Sequence, residues 1–138
     1  AGKDPPEAHL TETVLTVLLL FALLETKHMF ADYFLQTPRM LDGRGEYLHL
    51  GRAMHAGVHA LGSALVFLII GAPLGFIIVI VAVEWFVHFN IDFGKAMMSD
   101  KMGLAPNHAG FWRAAGVDQW LHHMTYVGMT WAWAQFAI

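Results

Sequence analysis

Four long apolar stretches, separated by two polar segments and one short turn, make up the chain, and in each stretch the polar positions collect toward one end. From 14 to 24 nearly every residue is aliphatic. Beyond that, Glu25, His28 and Asp32 recur at helical spacing on one side, while Met29, Phe30, Tyr33 and Phe34 cover the others. This predicts a helix over about 10–35, stopped by Pro38. The segment 38–47, with Arg39, Asp42, Gly43, Arg44, Gly45 and Glu46, reads as a polar loop. A second helix is expected over about 48–70, with Arg52, His55 and His59 early, only Ser63 later, and small residues at Gly57, Ala60, Gly62 and Ala64 that allow close helix contact. Gly71-Ala72-Pro73 is a tight, uncharged turn. A third helix, about 74–98, is apolar through Val83 and then places Glu84, His88 and Asp92 one turn apart, with Lys95 closing the row. After a connection over 99–115, where Phe111 and Trp112 suit a lipid headgroup region, a fourth helix runs over about 116–138, polar at its start and aromatic at its end.

Each stretch is long enough for the ~20 residues that cross a bilayer. Of the 138 residues, 57% are hydrophobic and only 14% charged, well below the ~25% typical of soluble domains, which assigns the chain to lipid. The expected fold is an all-α integral membrane protein, a single domain over 1–138 forming an antiparallel bundle of four transmembrane helices. Residues 1–8 read as a short polar tail without the basic region that opens a secretory signal. The first apolar run ends in Glu25-Thr26-Lys27-His28 instead of a small-residue cleavage site, so it reads as a retained span. Arg39, Arg44, Arg52, Lys95, Lys101 and Arg113 lie in or beside the two polar connections and Lys27 points the same way, with Lys3 opposite. The positive-inside rule therefore sets those connections in the cytoplasm and both termini on the opposite side, which for a bacterial inner membrane is the periplasmic side.

Helix direction then gathers the polar pairs. The first and third helices approach the cytoplasm and the second and fourth leave it, so all four polar ends fall on one side of the membrane. The deeper member of each pair is His28, His59, His88 or His122, and the outer member is Asp32, His55, Asp92 or Asp118. An inner layer of four imidazoles and an outer layer of three carboxylates and one imidazole follow, ~6 Å apart by helical rise. With no cysteine, thiolate zinc sites and iron–sulfur clusters are excluded, so any metal is held by nitrogen and oxygen. Neutral imidazoles suit a transition metal, and carboxylates either ligate or orient the histidines. One transition metal, zinc, with an acidic surround is the simplest reading, and Glu84 or Glu25, one turn deeper, is placed as a general base.

Each assignment has a plainer competitor. A single histidine in a membrane helix is usually a hydrogen-bonded packing residue. His55 and Asp118 lie near the interface, where the alternatives are exposure to water or pairing with Arg52 or Arg113. Asp92 and Lys95 at i, i+3 read equally as a local ion pair. His9, His49 and His108 read as exposed, and His123 as facing lipid or a partner with Gln119 bonded to it. Trp131, Trp133 and Phe136 read as an aromatic belt, and Met97, Met98 and Met102 as interfacial packing. Haem b between facing histidines is disfavoured by the aspartates beside them.

The string His28-Met29-Phe30-Ala31-Asp32-Tyr33-Phe34-Leu35-Gln36-Thr37, then His55 to His59, His88 to Asp92 with Lys95, and Asp118 to His122, resembles a family of small bacterial membrane proteins of unknown function. The resemblance covers nearly all of the chain from about Val14 and implies the same four-helix arrangement. More loosely, the clusters look like those of membrane-bound metal-dependent hydrolases. The expected function is an intramembrane metal-binding protein, a hydrolase of a lipid-like substrate working from the cytoplasmic side. The alternative is a non-catalytic accessory subunit of a larger membrane complex. Membrane lipids and other membrane subunits are the expected partners; no basic run suggests nucleic acid.

Overall fold

In the computed structural model, which describes residues 6–43 and 45–138 and side chains from residue 10 onward, five helices follow one another: α1 (Pro6–Tyr33), α2 (Pro38–Leu41), α3 (Leu50–Ile70), α4 (Leu74–Met102) and α5 (Ala109–Phe136). No strand occurs among the described residues. Lys3, most of the tail 1–8, the side chain of His9 and Arg44 lie outside the described residues. The ends differ from expectation in instructive ways. α1 closes at Tyr33, where Phe34 and Leu35 both donate their N–H to the Phe30 carbonyl. The loop expected over 38–47 opens with α2, a single turn started by Pro38, whose fixed φ suits the first helical position. α4 continues to Met102 and is closed by Gly103 in the left-handed region at φ +57°. α5 begins at Ala109, so Phe111, Trp112 and Arg113, expected in a connection, are helical; Trp112 Nε1 donates to the Pro106 carbonyl at 2.9 Å and pins this start.

The long helices pack in a circuit, α1 on α3, α3 on α4, α4 on α5 and α5 on α1, while α2 lies on α3. Gly71 makes the α3–α4 turn possible: its φ of +81° is open to glycine, and the Gly71 and Ala72 N–H groups close on Leu68 and Phe67. Gly51 does the same for α2, since a Cβ there would run into the Arg39 carbonyl oxygen. The 42–49 segment is held down from α3. Arg52, buried, donates to the Glu46 and Tyr47 carbonyls and lies 5.2 and 5.0 Å from the Phe89 and Phe93 ring centres, and Tyr47 O–H donates to Asn90.

The polarity of this circuit is inverted relative to a soluble protein. Leu18, Leu61, Leu65, Ile78 and Val79 face outward and are more than half exposed, whereas His59, Ser63, Glu84, His88 and His122 are buried. So large an apolar exterior is stable in lipid and not in water. Three segments, Leu10–Tyr33, Leu50–Ile70 and Leu74–Met102, are long and apolar enough to cross a membrane. α5, expected as a fourth span, falls short by that measure because tryptophan, threonine, glycine and glutamine contribute little hydropathy. Exposed threonines bond within their own helices, Thr16 to the Glu12 carbonyl, Thr26 to Ala22 and Thr125 to Leu121, which satisfies hydroxyls where lipid offers no partner.

Toward the α3–α4 turn the interior is apolar: Leu20, Leu24, Val66, Phe67, Ile77, Met129 and Trp133 form one cluster. Trp133 therefore belongs to the core and not to the outer belt, while Trp131 and Phe136 do face outward. Above this cluster lies an ion pair that joins α1 to α4, Lys27 with Glu84. Lys27 Nζ also donates to the His59 carbonyl at 3.1 Å and sits 4.5 Å from the Tyr126 ring centre. Two opposite charges buried together tolerate removal of both better than removal of one. Lys27→Met is expected to destabilise the protein by about 3–5 kcal/mol, and Lys27→Met with Glu84→Gln to recover most of that loss, as read by thermal unfolding in detergent. Equal loss in the single and double variants would show that the pair is not coupled.

Candidate metal centre

One turn above the Lys27–Glu84 pair, imidazoles from all four long helices form a closed circuit. His28 on α1 lies 5.2 Å from His59 on α3, His59 lies 3.9 Å from His88 on α4, His88 lies 4.2 Å from His122 on α5, and His122 lies 5.4 Å from His28, between ring centres. The spacing of these residues in the sequence set their depth, and the helix packing turns each of them inward. His55, one turn further out on α3, joins at 4.7 Å from His59 and 5.2 Å from His88 and is buried, not exposed to water. Asp32 and Asp92 cap the circuit from α1 and α4.

Groups that can only accept hydrogen bonds fix much of the protonation pattern. The carboxylates of Asp32 and Asp118 face the Gln119 amide nitrogen at 3.3 and 3.4 Å, so the Gln119 oxygen faces His28 Nε2 at 3.0 Å. His28 Nε2 therefore carries a proton, which it also directs at Asp32 Oδ2 3.2 Å away. His28 Nδ1 is left as an acceptor, and Tyr126 O–H, at 2.8 Å, donates to it. The Tyr126 oxygen also lies 3.4 Å from His59 Nδ1. His59 Nε2 lies 3.0 Å from Asp32 Oδ1 and donates to that carboxylate a proton whose place a metal cation could take. On α5, His122 Nδ1 donates to the Asp118 carbonyl at 2.9 Å, which leaves His122 Nε2 bare and aimed at Asp92 Oδ1, 3.8 Å away.

Imidazole nitrogens that face carboxylate oxygens at this range share either a proton or a metal cation with them. His55 Nε2 is 3.3 Å from Asp32 Oδ1, and His88 Nε2 is 3.5 Å from Asp92 Oδ2. A tetrahedral ion with bonds of ~2.0–2.1 Å has donor–donor edges of ~3.3–3.4 Å, and these separations fall around that length. His88 Nε2 and His122 Nε2 are buried without a hydrogen-bond partner. One ligand atom each from Asp32, His55, His59 and His88 lies within 4.8 Å of the others, and the same holds for His88, Asp92 and His122. Either group could hold a metal ion. Among the described residues, neither Asp32 nor Asp92 is paired with a lysine or arginine.

Six of the eight metal-site residues expected from the sequence thus stand in these groups, and two stand behind them. His28 has both nitrogens engaged, and Asp118 turns its Oδ2 to Lys95 at 2.7 Å. Lys95 accordingly pairs across to α5 and not with Asp92 on its own helix. Of the two expected general bases, Glu84 is held by Lys27 below the circuit and Glu25 by His123 at 2.7 Å on its flank. Gln119, expected beside His123, bonds to His28 and the two aspartates. His49 is half-buried, its ring against Gly43 and Gly51, whereas His108 is exposed as expected. The residues missed from the sequence are Lys27 and Gln119, whereas Tyr126 is expected, with Ser63, as a neighbour of Glu25 and Glu84. For Lys27 a signal existed, an opposite charge at matching depth on another helix.

A cavity of about 170 Å³ opens above the circuit, lined by Asp32, Arg52, His55, Asp92, Lys95 and Asp118 among others. Because Tyr126 sets the orientation of His59, Tyr126→Phe is expected to weaken Zn²⁺ retention by about 10–100-fold with the fold intact. Competition against a chelator of known affinity measures this; unchanged retention would remove Tyr126 from that role.

Neither a curated protein nor a solved structure matches the chain. Residues 15–137 match the family described as "protein of unknown function (DUF3307)", which supplies no activity but covers almost the whole length. The chain, with its all-helical fold and its interior of histidine and aspartate, belongs to the DUF3307 family.

Proposed function

We propose that this protein is an intramembrane metal-dependent hydrolase of an amphipathic, lipid-like substrate, built as an antiparallel bundle of four transmembrane helices. The observation that carries the metal is the convergence of Asp32, His55, His59 and His88, whose ligand atoms lie within 4.8 Å of one another in a buried interior. Imidazole and carboxylate donors suit zinc, which would act there as a Lewis acid where three of these four hold it and the fourth position is left to water or substrate. The chain's own residues do the rest. Tyr126, His28 and Gln119 orient the nitrogens and Asp32. The Lys27–Glu84 pair forms a polar floor that keeps the circuit from slipping into the apolar core.

An amphipathic substrate is supported by two adjoining spaces. The polar cavity above the circuit and an apolar groove of about 480 Å³ between α4 and α5, lined by Phe86, Val87, Ile91, Met98, Val117 and Leu121 among others, share Lys95 and Asp118 in their walls. A chain in the groove would bring its polar end to the Lys95–Asp118 pair and from there to the cavity. The basic residues of the two polar connections support a cytoplasmic position for this face.

Protein solubilised gently, without exposure to a metal-affinity resin, is expected to carry a tightly held transition metal by elemental analysis. His59→Ala and His88→Ala, each folded by circular dichroism, are expected to lower the metal content at least several-fold. Unchanged content in both would sink the assignment. Absence of metal together with a native mass far above that of an oligomer of this chain would turn the reading to a structural subunit.

A further inference from the structure

The interior holds more donor atoms than one ion uses. A tetrahedral ion takes four, and Asp32, His55, His59 and His88 supply four. That leaves His122, only 2% exposed, with a bare Nε2 that has no partner and points toward Asp92. Asp92 in turn has one oxygen 3.8 Å from His122 Nε2 and the other 3.5 Å from His88 Nε2. An imidazole nitrogen binds one ion at a time, so His88 cannot serve both groups at once. With two ions present the donors divide evenly, His55, His59 and Asp32 for one and His88, His122 and Asp92 for the other. Each set is two imidazoles and one carboxylate, a number that leaves a coordination position open, as catalytic sites do. The two sets also touch. The His59 and His88 rings are 3.9 Å apart, and His55 Nε2 lies 3.3 Å from Asp32 Oδ1 and 3.8 Å from Asp92 Oδ2.

We infer that the site is dinuclear, a second divalent transition metal being held by His88, Asp92 and His122 beside the first, and that the pair receives a phosphate-type oxyanion. The inference rests on the metal-binding reading above. Paired dications ~3.5–4 Å apart clamp the oxygens of phosphoryl groups. Charge points the same way. The cavity wall holds Asp32, Asp92 and Asp118 against Arg52 and Lys95, one negative charge in excess. One dication turns this into a single positive charge and two into three, which calls for an anion with several oxygens.

Metal-free protein in detergent is titrated with Co²⁺ and read by its visible absorption and by elemental analysis after desalting. Two equivalents are expected in the unsubstituted protein and one in both Asp92→Asn and His122→Gln. One equivalent in the unsubstituted protein, unaltered by either substitution, overturns the second site while leaving the first standing; none overturns both. Asp92→Asn is isosteric and at a partly exposed position, so it decides the matter if His122→Gln does not fold. The fully loaded protein and Asp92→Asn are then titrated with inorganic phosphate and with a short-chain phosphatidic acid. A cobalt spectral change in the two-ion form, lost in Asp92→Asn, supports the oxyanion assignment. Response to phosphatidic acid alone places the phosphate on a lipid headgroup, and response to inorganic phosphate alone or to both places it on any source that presents the group. Response to neither overturns that part.

Discussion

The Asp32 carboxylate is the contact on which the interior depends. One oxygen is held from behind by His28 and Gln119, and the other faces His55 and His59. Because a carboxylate only accepts, the groups around it must donate, and that single requirement runs through Gln119 and His28 to Tyr126, whose O–H is left to donate to His28 Nδ1. A chain of obligatory donors and acceptors of this kind has one low-energy arrangement, since each buried group left unpaired costs about 1–3 kcal/mol. It joins α1, α3 and α5 more specifically than their apolar contacts do, which permit many registers.

How the protein divides its length follows from the same constraint. Lipid offers no hydrogen bonds, so polar groups must find partners inside the chain or lie at the ends. Here they are stacked in order along the interior: the Lys27–Glu84 pair lowest, the imidazole circuit above it, then the aspartates, then a cavity roofed by Arg52 and Lys95. Among the described residues, Glu84 Oε2, His55 Nδ1, His88 Nε2, Asp118 Oδ1 and His122 Nε2 are buried in these layers without a hydrogen-bond partner. Of these, His88 Nε2 and His122 Nε2 both face Asp92, at 3.5 and 3.8 Å.

Much of this was legible in the sequence because two simple periodicities carried it. Spacing of four put His28 with Asp32, His55 with His59 and His88 with Asp92 on common faces, and alternating helix direction put all of them at one depth. What stayed illegible was the choice of partner across helices. Lys95 could meet Asp92 on its own helix or Asp118 on α5, and only packing decides for Asp118. Lys27 is adjacent to His28 but about 100° round the helix, so nothing local says that it crosses to Glu84. Trp131 and Trp133 look alike near a helix end, yet a turn of about 200° separates them and sends one to lipid and the other into the core. Helix ends were misjudged where backbone chemistry, such as the left-handed Gly103 or the Trp112–Pro106 bond, outweighs side-chain pattern.

The apolar cluster of Leu20, Leu24, Phe67 and Trp133 bears on the electrical setting of the chemistry above it. Low-dielectric, ion-free material is where a transmembrane voltage falls, and that potential is worth about 2.3 kcal/mol per unit charge per 100 mV. In a bundle that spans the membrane as proposed, this plug would fill the opposite half of the interior, and the histidine circuit would share the potential of the compartment into which its cavity opens. On the metal-binding reading proposed above, ions entering by the cavity would cross almost none of the field, and occupancy of the site would be insulated from the energisation of the membrane.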